Sequence, residues 1–395
     1  MSGIVLSSSV RQNLLSLQST AELLATTQSR LSTGKKVNSA LDNPTNFFTA
    51  ASLDNRAGDI NNLLDGISNG VQVLQAANTG ITSLQKLVDT AKSIAQQVLQ
   101  APVGYSTKSS VTSGANAGGT GANLLGATLA DGDILTIAAT GGGTATNITF
   151  GTASNEIDTL TELNTALAAN NLQASVNDTT GAITITTTND AASATVGALG
   201  GTAIGAGKAF LPASTTVVAA VADATSQLTR STLVAQYNNI IAQITTTAQD
   251  ASFNGTNLLN GDNLKLTFNE TGKSTLNISG VSYNATGLGL ASLTGGTDFL
   301  DSGSANNVIA SLGSASNSLR QQASSLGSNL SIVQIRQDFS KSLINVLQTG
   351  SSNLTLADTN EEAANSQALS TRQSIAVSAL ALANQSQQSV LQLLR

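Results

Sequence analysis

The sequence predicts a mainly α protein. Long paired helical rods or coiled coils run from both termini, a β-hairpin sits in the core, and a small α+β (ββαββ) outer domain is inserted. Three observations carry this expectation. Apolar residues recur at alternating spacings of three and four near both ends, the repeat that keeps one stripe of a helix facing a partner. Residues 106–220 differ in kind, holding 16 of the 35 glycines and only two basic residues, Lys108 and Lys208. Two short apolar runs, Leu264–Phe268 and Leu276–Ile278, flank the turn-forming Asn269-Glu270-Thr271-Gly272-Lys273.

In the first helix the stripe is Leu14, Leu17, Ala21, Leu24, Gln28 and Leu31. Arg30 in the last turn and Gly34, suited to the left-handed residue beyond a helix end, stop it near Thr33. Asp42-Asn43-Pro44 then marks a start, a capping residue before a proline that fits the first helical turn. The stripe Leu74, Ala77, Ile81, Leu84, Val88, Ala91, Ala95, Val98 continues a long rod up to Pro102 and Gly104.

Inside 106–220, strands are expected at Ile134–Ile137 and Ile148–Phe150, and a helix along Ile157, Leu160, Leu163 and Leu167. Val176 and Ile183–Thr186 bracket an Asn177–Gly181 turn, with Ser/Thr/Gly/Ala-rich flanks at 106–122 and 189–216. Helix returns with Leu228, Leu233, Tyr237, Ile240, Ile241 and Ile244, and after the hairpin from about Asn306 to Leu347, with Ile332, Ile335, Phe339, Leu343 and Val346 on one side. Thr359 with Glu362 three residues later reads as a capping box opening a terminal helix, whose stripe is Leu369, Ala376, Leu380, Ala383, Val390 and Leu394.

Composition narrows the function. The 395 residues are 10% charged against about a quarter in ordinary soluble proteins, and the net charge is −6, which argues against nucleic-acid binding. No cysteine and no histidine occur, so thiol nucleophiles, zinc thiolates and the commonest proton shuttle are excluded. Glu361 and Glu362 point about 100° apart on a helix and make a poor catalytic pair. Asp59–Asp65 and Asp298–Asp301 lack the spacing of a calcium loop, and Gly141-Gly142-Gly143 lacks the Lys-Ser/Thr of a phosphate loop. No catalytic residue, cofactor or metal is expected. Neither a secretory signal nor an apolar run of membrane-spanning length is present, so export by another route and no membrane insertion are expected. The terminal helices carry Ser, Thr, Gln and Asn opposite their stripes in place of Lys and Glu. Such faces suit helices packed among many neighbours, where unpaired ions would be costly to desolvate.

Arg30-Leu31-Ser32-Thr33-Gly34-Lys35-Lys36-Val37-Asn38-Ser39-Ala40-Leu41-Asp42 resembles the characteristic N-terminal segment of bacterial flagellins. Asp358–Asn365 and Ala383–Leu391, with Glu362 and Asn384, resemble their C-terminal segment, and Phe253-Asn254-Gly255-Thr256-Asn257-Leu258-Leu259 resembles the motif before the family's core hairpin. The family-motif positions are Arg30, Gly34, Asn38, Asp42, Phe253, Asn254, Gly255, Glu362 and Asn384. The likeness covers about 1–100 and 225–395, and the insertion precedes the Phe253 motif.

The resemblance implies a non-catalytic subunit of the helical flagellar filament, self-assembling for swimming motility. It implies an inner tube of 1–43 with 357–395, a helical core of 44–105 with 221–356, and a surface-exposed module at 106–220. Expected partners are further copies of the chain, the flagellar export chaperone and type III export apparatus, and hook-associated junction and cap proteins; the expected location is extracellular. The alternative within the same resemblance is a hook–filament junction protein. Interface positions expected from the stripes are Leu14, Leu17, Leu24 and Leu31 against Leu380, Ala383, Val390 and Leu394.

Overall fold

The computed structural model describes residues 8–211 and 216–393, without the side chains of 387 and 390–393. Leu394 and the Val390 side chain, both expected at an interface, lie outside the described residues. The elements run α1 (Ser8–Thr33), α2 (Pro44–Gln100), β1 (Tyr105–Thr107), β2 (Ser110–Thr112), β3 (Ile134–Ile137), β4 (Thr146–Thr149), α3 (Leu160–Ala168), β5 (Leu172–Asn177), β6 (Ala182–Thr187), β7 (Leu199–Gly200), β8 (Val221–Ala222), α4 (Ala224–Asp250), β9 (Leu264–Thr267), β10 (Thr275–Ile278), α5 (Ser302–Thr355) and α6 (Thr359–Leu393). The expected mainly helical class with a small β-containing insertion is what the chain adopts. Two compact units share these elements: one of Met1–Val71, Lys265–Leu276 and Ser331–Arg395, the other of Gln72–Leu264 and Asn277–Leu330.

In the first unit, α2 begins as expected at Pro44, where a missing N–H is harmless, and the Asn43 side chain accepts the Asn46 N–H at 3.0 Å. Ala57 and Ile60 of α2 pack with Ile344 and Leu347 of α5, and Leu53, Leu64 and Leu343 border them. The β9–β10 hairpin closes where predicted: Phe268 N–H donates to Ser274 O at 2.8 Å, Asn269 Oδ1 accepts the Ser274 N–H at 2.9 Å, and Gly272 takes a φ of 70°. Its tip is held by the Arg56–Glu270 ion pair at 2.7 Å and by Arg336, whose guanidinium lies 5.8 Å from the Phe268 ring centre.

The second unit contains the long stripe. Leu74, Ala77, Ile81, Leu84, Val88, Ala91, Ala95 and Val98 are all fully buried. A heptad pattern sustained over that length leaves each position on the covered side of α2. The α4 seam departs from expectation. Leu228 is exposed, and the buried positions are Ser226, Arg230, Val234, Tyr237, Ile241, Ile244 and Ala248.

Arg230, fully buried, explains that shift. Its Nε donates to Pro102 O (2.6 Å), Nη1 to Phe299 O (2.5 Å) and Asp301 O (3.4 Å), and Nη2 to Val98 O (3.0 Å) and Ala101 O (2.9 Å). A guanidinium has five N–H groups, and every one finds a carbonyl here. The side chain thus satisfies the open carbonyls where α2 ends and ties them to the segment before α5. Burial lowers its pKa from the ordinary arginine value, and the charge of Asp301 opposes that fall.

The flagellin-like Phe253 motif has a local physical meaning. Asn254 and Gly255 take φ of 49° and 79°, and Phe253 and Thr256 exchange main-chain hydrogen bonds at 3.0 Å each, a two-residue turn that needs two left-handed residues. Asn257 then folds back: its Nδ2 donates at 2.8 Å to both Ala248 O and Gln249 O, closing the end of α4, while Leu258 and Leu259 are buried.

The insertion has the expected ββαββ order, and its Ser/Thr/Gly/Ala-rich flanks add short strands. β2 joins β6 and β5 in one antiparallel sheet, β7 joins β3 and β4 in another, and β1 pairs with β8. The small-residue flanks permit this because strands of two or three residues need backbone groups more than apolar side chains. One core unites both sheets and α3, including Leu135, Ile148, Phe150, Leu163, Leu167, Ile183 and Ile185. Thr159 and Glu162 make a true capping box at α3.

The outer edge of β5 is blocked by a side chain. Asn164 on α3 accepts the Ala174 N–H at 2.6 Å and donates to Ala174 O at 3.1 Å, standing in for a neighbouring strand. Asn164→Leu should therefore destabilise the insertion by about 1–2 kcal/mol and expose a pairing edge. Urea unfolding followed by circular dichroism, with light scattering for edge-driven association, checks this; unchanged values in both would refute the assignment.

Candidate functional site

Helices α1 and α6 pack against each other as an antiparallel pair, Arg30 near the end of α1 meeting Glu362 near the start of α6. The sequence along both helices is rich in Ser and Thr, whose hydroxyls ordinarily compete with the helix backbone. Here they fold onto it. Thr20 Oγ1 donates to Ser16 O at 2.8 Å and Thr33 Oγ1 to Ser29 O at 2.8 Å, and on α6 Thr371, Ser374, Ser378 and Ser389 each donate to the carbonyl four residues earlier. The hydroxyls are satisfied within their own helix, so these faces can be buried without unpaired polar groups.

Within the chain the less exposed positions of α1 are Val10, Asn13, Leu17, Thr20, Ala21, Leu24, Thr27 and Arg30, and those of α6 are Glu362, Ser366, Leu369, Gln373, Ala376, Leu380 and Ala383. The α6 set alternates three and four. The α6 stripe matches the predicted one over its described length. The α1 stripe keeps the expected Leu17, Ala21 and Leu24 but widens to one side, taking in Asn13, Thr20 and Thr27 and leaving Leu14, Gln28 and Leu31 exposed.

The capping box expected at Thr359 is corrected by the geometry. Asp358 caps α6, its Oδ1 accepting the N–H groups of Asn360 (2.9 Å) and Glu361 (3.3 Å). Glu362 instead lies buried in the seam, its Oε1 3.2 Å from Arg30 Nη1, while its Oε2 has no hydrogen-bond partner. Pairing with a cation across the seam outweighs the local cap because a buried carboxylate is far more costly alone.

Just beyond the seam the main chain locks the two helix ends. Gly34, with φ of 69°, turns the chain so that Lys36 N–H reaches Thr355 O at 2.7 Å and Ala357 N–H reaches Gly34 O at 3.0 Å. Asp42 closes the next turn, its Oδ2 accepting the N–H groups of Ser39 (2.8 Å) and Asn38 (2.9 Å). Those bonds, that from Ser39 first, hold its carboxyl below the ordinary carboxylate value. Asn38 also donates its side-chain amide to Lys35 O at 3.0 Å. The motif positions Arg30, Gly34, Asn38, Asp42 and Glu362 therefore converge on one junction, while Asn384 sits exposed on α6.

Intrachain packing leaves much of the pair's apolar surface uncovered. Leu14, Leu15, Leu23 and Leu31 on α1 and Ile375, Val377 and Leu382 on α6 are exposed. Among the described residues no group of three or more acidic, histidine or cysteine side chains gathers to hold a metal, and no helix is long and apolar enough to cross a membrane. Among the described residues the paired helices α1 and α6, with the apolar surface that they leave uncovered, define a helix-paired class of protein.

Two family models match it: the bacterial flagellin N-terminal helical region over residues 5–113 and the bacterial flagellin C-terminal helical region over residues 309–394. The chain is similar to flagellin FljM of Caulobacter vibrioides, 32% identical over 165 residues, covering 41% of this chain and 59% of that protein. It is also similar to flagellin FljJ of the same organism, 30% identical over 184 residues (45% and 66%), and to flagellin A of Rhizobium meliloti, 37% identical over 93 residues (24% of each). The match to FljM thus spans about three fifths of that relative's length. The chain belongs to the bacterial flagellin family, whose members are structural filament proteins.

Proposed function

We propose that the chain is exported through the flagellar type III apparatus with its chaperone and self-assembles, in contact with junction and cap proteins, into the extracellular filament that drives swimming. Residues 1–43 and 357–395 line the inner tube, 44–105 and 221–356 form the surrounding core, and 106–220 faces outward. One observation carries this reading: the α1–α6 pair leaves Leu15, Leu23, Ile375 and Leu382 uncovered on a nearly uncharged surface. Burying a side chain of this kind contributes about 1.5–3 kcal/mol, and a polymer repeats the gain in every subunit. Leu17, Leu24, Leu380 and Ala383 hold the pair together, and Leu14 and Leu31 at its margin meet neighbouring copies.

Leu24→Asp should abolish assembly while leaving the helical content of the remaining chain in place. Sedimentation and negative-stain electron microscopy of the purified protein, seeded with filament fragments, read the outcome. Normal filaments from the variant would sink the coiled-coil assignment, and wild-type protein that caps seeds without elongating them would place the chain among hook-associated proteins.

A further inference from the structure

The insertion meets the host helices at a stem and at a second place. At the stem β1 pairs with β8, and Asp223 N–H donates to Gly104 O at 3.0 Å. The second lies at the start of α5 and involves the single 3-10 turn Asn189–Ala191 and the residues just after it. Ser193 Oγ donates to Asp301 Oδ2 at 2.7 Å, and Asn306 Nδ2 donates to Asp190 Oδ1 at 3.4 Å. Beside these bonds the backbone of Gly303 lies against the Asp190 carbonyl, and a Cβ at that position would run into its oxygen. Asp301 serves both sides: its Oδ1 accepts the Ser304 N–H at 2.9 Å and caps α5, while Oδ2 holds Ser193. The 3-10 turn is itself anchored in the insertion, since Ala191 and Ala192 are buried and Thr188 N–H donates to Asn171 O at 2.8 Å.

We propose that residues 189–193 are a releasable latch that fixes the angle of the insertion on the start of α5. A two-stranded stem alone is a hinge, because one narrow attachment leaves rotation about it free. The second attachment removes that freedom while it is closed. The Asp190 carboxylate beside the positive end of α5 favours the closed state. Two features let the latch open. Both side-chain bonds are exposed, and a contact this small and polar resists relative motion only weakly. Opening breaks no bond of the stem, of the insertion's core or of the Arg230 network, so the insertion swings as one body.

The chain has no cysteine, so Thr165→Cys on α3 with Gln236→Cys on α4 supplies two exposed positions for nitroxide labels. Double electron–electron resonance on the labelled chain should return one narrow distance distribution. Gly303→Val should at least double its width by forcing the latch open, with an unchanged far-ultraviolet spectrum. Gly313→Val is the control on the same helix: a Cβ there meets no neighbouring segment within 4 Å, and the distribution should stay narrow. Ser193→Ala with Asn306→Ala removes both side-chain bonds without adding an atom and should also broaden the distribution, which keeps the test decisive where Gly303→Val fails to fold. A broad distribution in the labelled parent, a width unchanged by folded Gly303→Val or by the double variant, or equal broadening by Gly313→Val would each overturn the latch.

Discussion

Arg230→Ala should destabilise the unit formed by residues 72–264 and 277–330 by about 3–5 kcal/mol, the largest effect expected of any polar substitution in the chain. The loss does not come from a missing ion pair. It comes from leaving the buried or part-buried carbonyls of Val98, Ala101, Pro102, Phe299 and Asp301 without their donor. Arg230→Lys should recover only part of the loss, because an ammonium cannot reproduce the planar fork that spans the end of α2 and the start of α5. Urea denaturation monitored by circular dichroism gives the comparison. If alanine falls within about 1 kcal/mol of wild type, the carbonyl network is not what holds these ends.

Gly181→Val should be nearly as damaging, about 3 kcal/mol or more, and confined to the insertion. Gly181 closes the β5–β6 turn with φ of 68°, its N–H donating to Asn177 O at 2.7 Å. A Cβ there would also run into the carbonyl of Asn116, which is main chain and has little room to withdraw. Asn116 is fully buried, its Nδ2 donating to Leu124 O at 2.8 Å and its Oδ1 accepting from Thr128 and Leu129, so displacing it disturbs a second network. Hydrogen exchange should show lost protection at the β5 and β6 amides with the α2 amides unchanged. Full protection in β5 and β6 would refute the close approach.

These two positions also show where the sequence is legible. The Asn177–Gly181 turn can be read directly, because turns depend on residues adjacent in the chain. So can the α2 stripe and the end of α1 at Gly34, both set by local periodicity and backbone preference. Arg230 could not be foreseen: its partners lie up to 132 residues away, and an arginine in a helix reads as a solvent-facing residue. The Asn254-Gly255 turn did carry a signal, since that dipeptide favours a two-residue hairpin turn. Thr159 with Glu162 carried one too, as the spacing of a capping box.

The candidate site was partly readable for the same reason. Heptad spacing marked the stripes of α1 and α6, and the flagellin resemblance implied their pairing; that Asn13 and Thr27 face inward in place of Leu14 and Gln28 is decided by three-dimensional packing. Periodicity likewise located the Ile332–Val346 stripe without saying which side of α5 faces water. Glu362 was misassigned because a local cap and a cross-helix ion pair share one sequence pattern, and the distant Arg30 breaks the tie.

The point where the insertion leaves the host helices has a consequence for how such a chain can change over generations. Asp223 N–H donates to Gly104 O at 3.0 Å, so the chain departs from and returns to one spot, with β1 and β8 zipped beside it. From the viewpoint of α2 and α4, whatever is threaded between those two residues is a closed loop. The insertion can therefore be exchanged as a cassette while the buried Leu74–Val98 stripe is inherited untouched.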